Sequence, residues 1–357
     1  MTATAEFCPN WASSPGDTIS DILEERGWSV GEFATHLGET ADRTRQLLQG
    51  RATVTVRIAR KLEQVLGGTA EFWIARDFQF REDVERIHRL DQEWLNELPL
   101  GDMIRFGWLR PPLPEEEVDA CLRFFGSASV PAWRQTYGAV QALAAFRTSR
   151  SFDSHPAAVV AWLRKGEIDS GEISCSPWNA ERFSNSLSEI RHLTLKRDPA
   201  QFLPELQRVC AECGVAVVVV RAPNGCRASG ATKFVSDGKA LLLLSFRYLS
   251  DDQFWFTFFH EAGHLLLHGR DSLFLEGLDV VSETKEREAN QFAEEILIPK
   301  RWRQSLSTLA AETRAIIRFA HQIDIAPGIV VGQMQHVGRI PRNHFNGLKR
   351  RFIWTDG

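Results

Sequence analysis

A helix that carries two imidazoles four residues apart, with a carboxylate directly after the first, is arranged to hold a metal ion and a base beside it. Residues 254–269, FWFTFFHEAGHLLLHG, present that combination as His260, Glu261 and His264 in an otherwise almost wholly apolar run. Residues four apart lie one above the other on a helix, so both rings can reach one ion, and zinc suits the donors. Glu261 projects about 100 degrees around the same turn, off the ligand stripe but near it, where a base for water at the ion is needed. The alternative is a core helix whose histidines bond backbone carbonyls. Burying His, Glu and His together without an ion would be costly.

A catalytic zinc takes three protein ligands and keeps one corner open, so one ligand remains to be found. His268 continues the stripe, yet eight residues at ~1.5 Å rise put it about 12 Å along the axis from His260, too far to share an ion. A helix-end or supporting role suits it better. The stretch SETKEREANQFAEEILIP reads as a helix from near Ser282 to Pro299, which must stop it. Ala289, Phe292 and Ile296 make its inward stripe, and Glu288 beside them could aim a carboxylate at the first helix.

Several elements must position these groups. VAVVVV and ALLLLSF, after Gly214, are short aliphatic runs that predict two strands of a small sheet. Ser250 to Gln253, SDDQ, predicts a capping box for the His-bearing helix, with acids where the helix dipole favours them. That helix should reach about His268, with Gly269 ending it. Residues 15–90 read as consecutive short helices. Ser29 and Glu32 form a capping box, Gly38 ends one helix, Thr40 caps the next, and Gly50 stops it. That layout is a helix-turn-helix. From 93 to about 214 the pattern stays helical but is broken at RPPLP, SVPAW, SHPAA and CSPW, as in a connecting region. The expected class is mainly α with a small β-sheet (α+β). The expected division is 12–90, an all-α helix-turn-helix domain, 91–200, a helical connecting region, and 201–357, the metal-binding domain.

Composition is that of an ordinary globular chain, 43% hydrophobic and 25% charged over 357 residues. The formal net charge of −4 hides an asymmetry, because Lys300 to the end holds ten Lys/Arg against three Asp/Glu. That basic segment, with RIPR and LKRRF among aromatics, reads as a solvated face or a second electrostatic surface. No apolar run is long enough to cross ~30 Å of hydrocarbon and no secretory leader opens the chain, so a cytoplasmic protein with no membrane partner is expected. Six cysteines make no disulfide framework at this size. Cys210 and Cys213 lack a second pair to complete a zinc shell and read as buried hydrophobes.

HEAGHLLLHG followed by EREANQFAEEILIP resembles the ImmA/IrrE family of zinc metallopeptidases, related to the thermolysin-like gluzincins, and the tail IDIAPGIVVGQMQHVGRIPRNHFNGLKRRFIW is similar to the ends of its longer members. The resemblance covers about Gly214 to Trp354. It implies a gluzincin-like metallopeptidase domain with Zn2+ as cofactor, His260 and His264 as ligands, Glu261 as general base, and Glu288 as third ligand, with Glu286 in reserve. It also requires an oxyanion stabiliser, for which Tyr248, His336 and His344 are the possible donors.

The amino-terminal stretch from PGDTISDILEERGWSVGEFATHLG through TVRIARKLEQVLGGTAEFWIARDFQF resembles HigA-type antitoxins of the XRE-like helix-turn-helix family. The resemblance implies double-stranded DNA as partner. The second helix would enter the major groove, with the exposed residues from Ala41 to Gln46 as readers, Arg43 and Arg45 reaching bases or phosphates, and Arg51 and Arg57 adding phosphate contacts. Glu39 and Thr44 stand where the family usually has aliphatic residues, and Asp42 puts a carboxylate at the groove-facing start of the helix. Residues 1–90 hold eleven Lys/Arg and fourteen Asp/Glu, so the module is not basic.

Together these features predict a zinc-dependent endopeptidase coupled to a DNA-binding module, cleaving a repressor or antitoxin-like protein to control transcription. The competing expectation is a non-catalytic regulator or antitoxin whose peptidase fold senses a signal or holds a toxin. A homodimer is possible, because DNA readers of this type usually pair about a two-fold axis.

Overall fold

The computed structural model describes residues 11–151, 155–269, 274–275 and 283–354. The chain separates into two compact units, 1–95 and 96–357. The first contains α1 (Pro15–Arg26), α2 (Val30–Leu37), α3 (Ala41–Leu48), α4 (Val56–Leu66) and most of α5 (Ala70–Glu97). Ile19, Phe33, Leu37, Leu47, Ile58, Leu62 and Trp73 form its core.

The helix-turn-helix forms as the local chemistry requires. At the start of α2 the Ser29 Oγ accepts from Glu32 N and the Glu32 carboxylate accepts from Ser29 N, so two orphan donors are served at once. Gly38 turns out of α2 in the left-handed region at φ 60°. Thr40 Oγ1 then caps α3 by accepting from Arg43 N at 3.2 Å. Thr44 fills its buried position and satisfies its hydroxyl by donating to Thr40 O, 3.0 Å away.

The second unit opens with α6 (Leu100–Arg105), α7 (Glu117–Phe125), α8 (Val130–Ser151), α9 (Pro156–Gly171), α10 (Ala180–His192) and α11 (Pro199–Ala211). It continues through β1 (Val215–Val219), β2 (Gly230–Ser236), β3 (Lys239–Leu244), α12 (Asp251–Leu267), β4 (Phe274–Leu275), α13 (Glu283–Leu297), α14 (Lys300–Ser307), α15 (Thr313–Gln322) and α16 (Pro327–His336). The stretch expected to be a connector thus lies in the same compact unit as the sheet, where α9 packs on β1 and β3 and the Trp162 indole donates to Val220 O.

The class is the expected one, mainly α with a small sheet. Strand order is β1-β3-β2-β4, with β1 parallel to β3 and the other pairs antiparallel. Val218, Leu241 and Leu243 face α9, while Val215, Val217, Leu242 and Leu244 join the core of Phe202, Trp255, Phe258 and Phe259. With both faces covered, β1 and β3 read as unbroken apolar runs. Among the described residues no single helix is long and apolar enough to cross a membrane.

The Ser250–Gln253 capping box does not form. The Ser250 side chain makes no cap bond, because its backbone is tied in a bridge to Arg351. Asp251 serves the first turn instead, its Oδ1 accepting from Asp252 N at 2.9 Å and Arg350 N at 3.0 Å.

Candidate metal centre

The helix α12 is buried almost all round, so His260, Glu261 and His264, each 1% exposed or less, sit in the interior. Helix α13 is the partner that closes on them. Gly263 makes this approach possible, since a Cβ there would stand 3.1 Å from the Phe292 ring and 3.3 Å from the Ala289 backbone. The face that α13 turns inward carries Ala289, Ala293 and Leu297, all fully buried. One turn earlier on that face is Glu286, and four residues after Glu286 is Asn290.

Register therefore decides the third acid. Glu286 Oε1 lies 3.2 Å from His264 Nε2, and its Oε2 lies 3.5 Å from His260 Nε2. The two Nε2 atoms are 3.0 Å apart. His260, His264 and Glu286 each offer one ligand atom within a common radius that a single ion could span. Glu288, expected as the third ligand, is turned about 200 degrees from Glu286 around the helix; its carboxylate pairs instead with His268, at 2.9 Å. The geometry thus gathers Glu286, the acid held in reserve, with the two imidazoles, and places Glu288 outside that group.

The hydrogen-bond partners assign the protons. The Glu288 carboxylate can only accept, so His268 Nε2 donates to it at 2.9 Å, which leaves the His268 Nδ1 of a neutral ring as an acceptor. His264 Nδ1, 2.9 Å from that atom, must then carry the proton. His260 Nδ1 likewise donates to Asn290 Oδ1 at 3.0 Å. Both Nε2 atoms are left as lone pairs aimed at each other and at a carboxylate. Burial first, and then the neighbouring His264, holds His260 down to about 3, so its ring stays neutral.

A cation resolves this arrangement. Lone pairs crowded on one another repel, and among the described residues Glu286 Oε1 is buried with no hydrogen-bond partner. Tetrahedral zinc with bonds near 2.0–2.1 Å separates its ligand atoms by about 3.3 Å. The separations of 3.0, 3.2 and 3.5 Å bracket that value. The donor set of two imidazoles and one carboxylate fits catalytic zinc.

Glu261 is placed beside this set, not in it. The Thr232 hydroxyl, on β2, donates to Glu261 Oε2 at 3.1 Å in a fully buried setting. Gly230 makes room, since a Cβ there would fall 2.6 Å from Glu261 Oε1 and 2.7 Å from Thr257 Cγ2. Sequence reading missed both Thr232 and Gly230, because Gly, Ser and Asn around β2 masked it as a loop. The signal available was GATKFV ahead of a two-residue link at Asp237-Gly238.

Of the three oxyanion candidates, His336 is tied most directly to the centre. Its ring centroid is 6.2 Å from that of Phe256, which in turn lies 6.3 Å from His260. Tyr248 is 49% exposed at the mouth of a neighbouring depression. His344 is exposed, and its carbonyl accepts from Gln335. Cys210 and Cys213 are free and buried, and burial pushes the Cys210 thiol well up, consistent with a packing role.

In the amino-terminal unit Arg43, Arg45, Gln46, Arg51 and Arg57 are all exposed. Most are engaged by acids. Glu39, 9% exposed in its side chain, holds Arg57 at 2.6 Å, Lys61 at 2.8 Å and Arg43 at 3.6 Å. Lys61 first, then Arg57, keeps its carboxyl below the ordinary range. Asp42 accepts from Gln46 at 3.0 Å and faces Arg45 at 3.9 Å.

An HExxH helix paired with a glutamate-bearing helix over a small mixed sheet, in one chain with a helix-turn-helix module, defines a metallopeptidase-like unit joined to a regulator-like one. Residues 216–322 match the family model of the M78 peptidases, described as an IrrE N-terminal-like domain. The chain is also 31% identical over 83 residues to the uncharacterized HTH-type transcriptional regulator YddM of Escherichia coli (strain K12), covering 21% of this chain and 88% of that protein. The chain thus carries an IrrE N-terminal-like domain at 216–322 and a helix-turn-helix regulator-like segment, which fits an ImmA/IrrE protein with a helix-turn-helix.

Proposed function

We propose that the chain is a zinc-dependent endopeptidase that cuts a protein partner of repressor or antitoxin type, with a helix-turn-helix that binds double-stranded DNA. The observation that carries this reading is the convergence of the His260 and His264 Nε2 lone pairs and the Glu286 carboxylate, with Glu261 held alongside. A bound zinc would supply a Lewis acid that polarises a peptide carbonyl and makes water nucleophilic near neutral pH.

The protein's own groups do the rest. Asn290 fixes the ring of His260, and Glu288 acting through His268 fixes that of His264, so both keep a lone pair toward the ion. Glu261 takes the proton from the attacking water and passes it to the leaving amine, the role for which a base close to the ion but outside its ligand set is required. Thr232 anchors one oxygen of that carboxylate and so limits how the side chain can turn.

The test is zinc analysis of the purified chain together with mass spectrometry of its co-purifying partner, for wild type and Glu261→Gln. Expected are stoichiometric zinc in both and cleavage of the partner in wild type alone. Zinc-free protein, or cleavage unaffected by the substitution, overturns the reading. Similarity to a protein named as a transcriptional regulator supports the second reading, a non-catalytic regulator, which predicts that promoter control survives Glu261→Gln intact.

A further inference from the structure

On α12 the side chains of Gln253, Phe256 and His260 occupy one face. Following that face away from His260, Phe256 and the His336 ring tilted beside it lead toward an open depression of about 430 Å³. It is lined by Gln253, Gln335, His336, Arg342, Lys349 and Arg351, and no carboxylate lines it among the described residues. This is where the basic tail, unexplained by the catalytic reading, comes together.

The cations differ in how far they are committed. Lys349, 9% exposed in its side chain, gives its ammonium to Asp252 at 2.6 Å and Gln335 at 2.7 Å. His336 faces Glu294 at 3.3 Å. Arg342 and Arg351 make no ion pair among the described residues; Arg351 reaches only the Tyr248 carbonyl, at 3.4 Å. Their backbones are nonetheless fixed. Gln335 Nε2 donates to the carbonyls of Arg342 and His344 at 3.0 and 2.8 Å, and Arg351 is bridged to Ser250. Two uncommitted guanidinium groups on a pre-organised frame suit an anionic oxygen ligand.

We propose that this depression is a specificity subsite for an acidic side chain of the polypeptide substrate. The seven helical steps from Gln253 to His260 span about 10 Å along the helix, the reach of about three residues of extended peptide. The acidic residue therefore lies about three positions from the bond cut. The depression is open, so a chain can run through it, and Phe256 bridges from its His336 to His260 with ring centroids 6.2 and 6.3 Å apart. Only the distance to the cut bond rests on the peptidase reading; the pocket's preference for a carboxylate does not.

The experiment uses the full zinc-loaded chain carrying Glu261→Gln, so that peptide is not consumed, and fluorescein-labelled decapeptides containing spaced glutamates or the matching glutamines. Anisotropy should show the glutamate peptide binding about tenfold tighter. Arg342→Gln with Arg351→Gln should bring it down to the glutamine level while zinc content stays unchanged. Equal affinity for both peptides, no binding of either at millimolar concentration, or a glutamate preference that survives the double substitution would overturn the proposal. So would inorganic phosphate displacing the peptide at micromolar concentration, since that marks a small-anion site. If the preference holds and depends on the arginines while wild type cuts no peptide, the peptidase reading falls and the acidic-peptide site stands.

Discussion

Glu288 Oε2 and His268 Nε2 stand 2.9 Å apart, two residues downstream of the carboxylate that faces the metal centre. Through His268 this acid dictates which nitrogen of His264 is protonated, so the two neighbouring glutamates carry different tasks. Glu286→Gln should reduce zinc to substoichiometric levels, because a carboxylate ligand is replaced by a neutral amide. Glu288→Gln should leave the ion bound but weaken it about 10- to 100-fold, as loss of an outer partner does. Competition with a chromophoric chelator measures both; a larger loss for Glu288→Gln would reverse the assignment.

Gly230 offers a test of Glu261 placement without touching Glu261. A methyl at this position would stand 2.6 Å from Glu261 Oε1 and 2.7 Å from Thr257 Cγ2. The carboxylate must move, and overpacking of this kind costs about 1–3 kcal/mol. Gly230→Ala should keep its zinc, lose peptide cleavage at least tenfold, and melt lower. Cleavage at the wild-type rate would show that Glu261 does not need this seat.

The helix α12, its paired histidines and the apolar runs of β1 and β3 were legible because apolar periodicity and four-residue spacing are local. The choice between Glu286 and Glu288 was not. It depends on which face of α13 meets α12, and that is set by Ala289 and Phe292 packing against Gly263. Thr232 was hidden for a different reason, since β2 is stabilised by pairing between β3 and β4 more than by its own residues. Ser250 looked like a cap from its neighbours, but a bridge to Arg351, a hundred residues on, took its backbone elsewhere.

Asp251 gives the second unit a pH-dependent stability. Burial above all holds its carboxyl up to about 6 from an ordinary 3.8, with Arg350 N–H lowering it and Asp252 raising it. Because the folded state binds this proton more tightly than the unfolded state, the contribution is present below pH ~4 and lost as pH rises through about 6. The full swing is about 3 kcal/mol at 1.36 kcal/mol per unit. Asp251→Asn keeps an oxygen to accept from Arg350 N and removes the titration. In urea melts the variant should gain on wild type between pH 4 and pH 7; a constant difference across that range would mean that Asp251 titrates normally.

Glu39 is the residue on which the proposed DNA affinity should turn. Its side chain gathers Arg57, Lys61 and Arg43, so cations that would meet phosphates are already partnered inside the module. Replacing Glu39 with Gln leaves the shape and the hydrogen-bonding capacity but removes the charge that competes with DNA. Each further phosphate neutralised steepens the dependence of log K on log salt by about 0.9. Glu39→Gln should therefore bind duplex DNA several-fold more tightly at low salt, with a slope steeper by one to two units, while Arg43→Ala with Arg45→Ala weakens binding. Electrophoretic titrations at a series of salt concentrations read both effects. An unchanged slope for Glu39→Gln would mean that these arginines do not meet the phosphates and that the helix-turn-helix docks a protein instead.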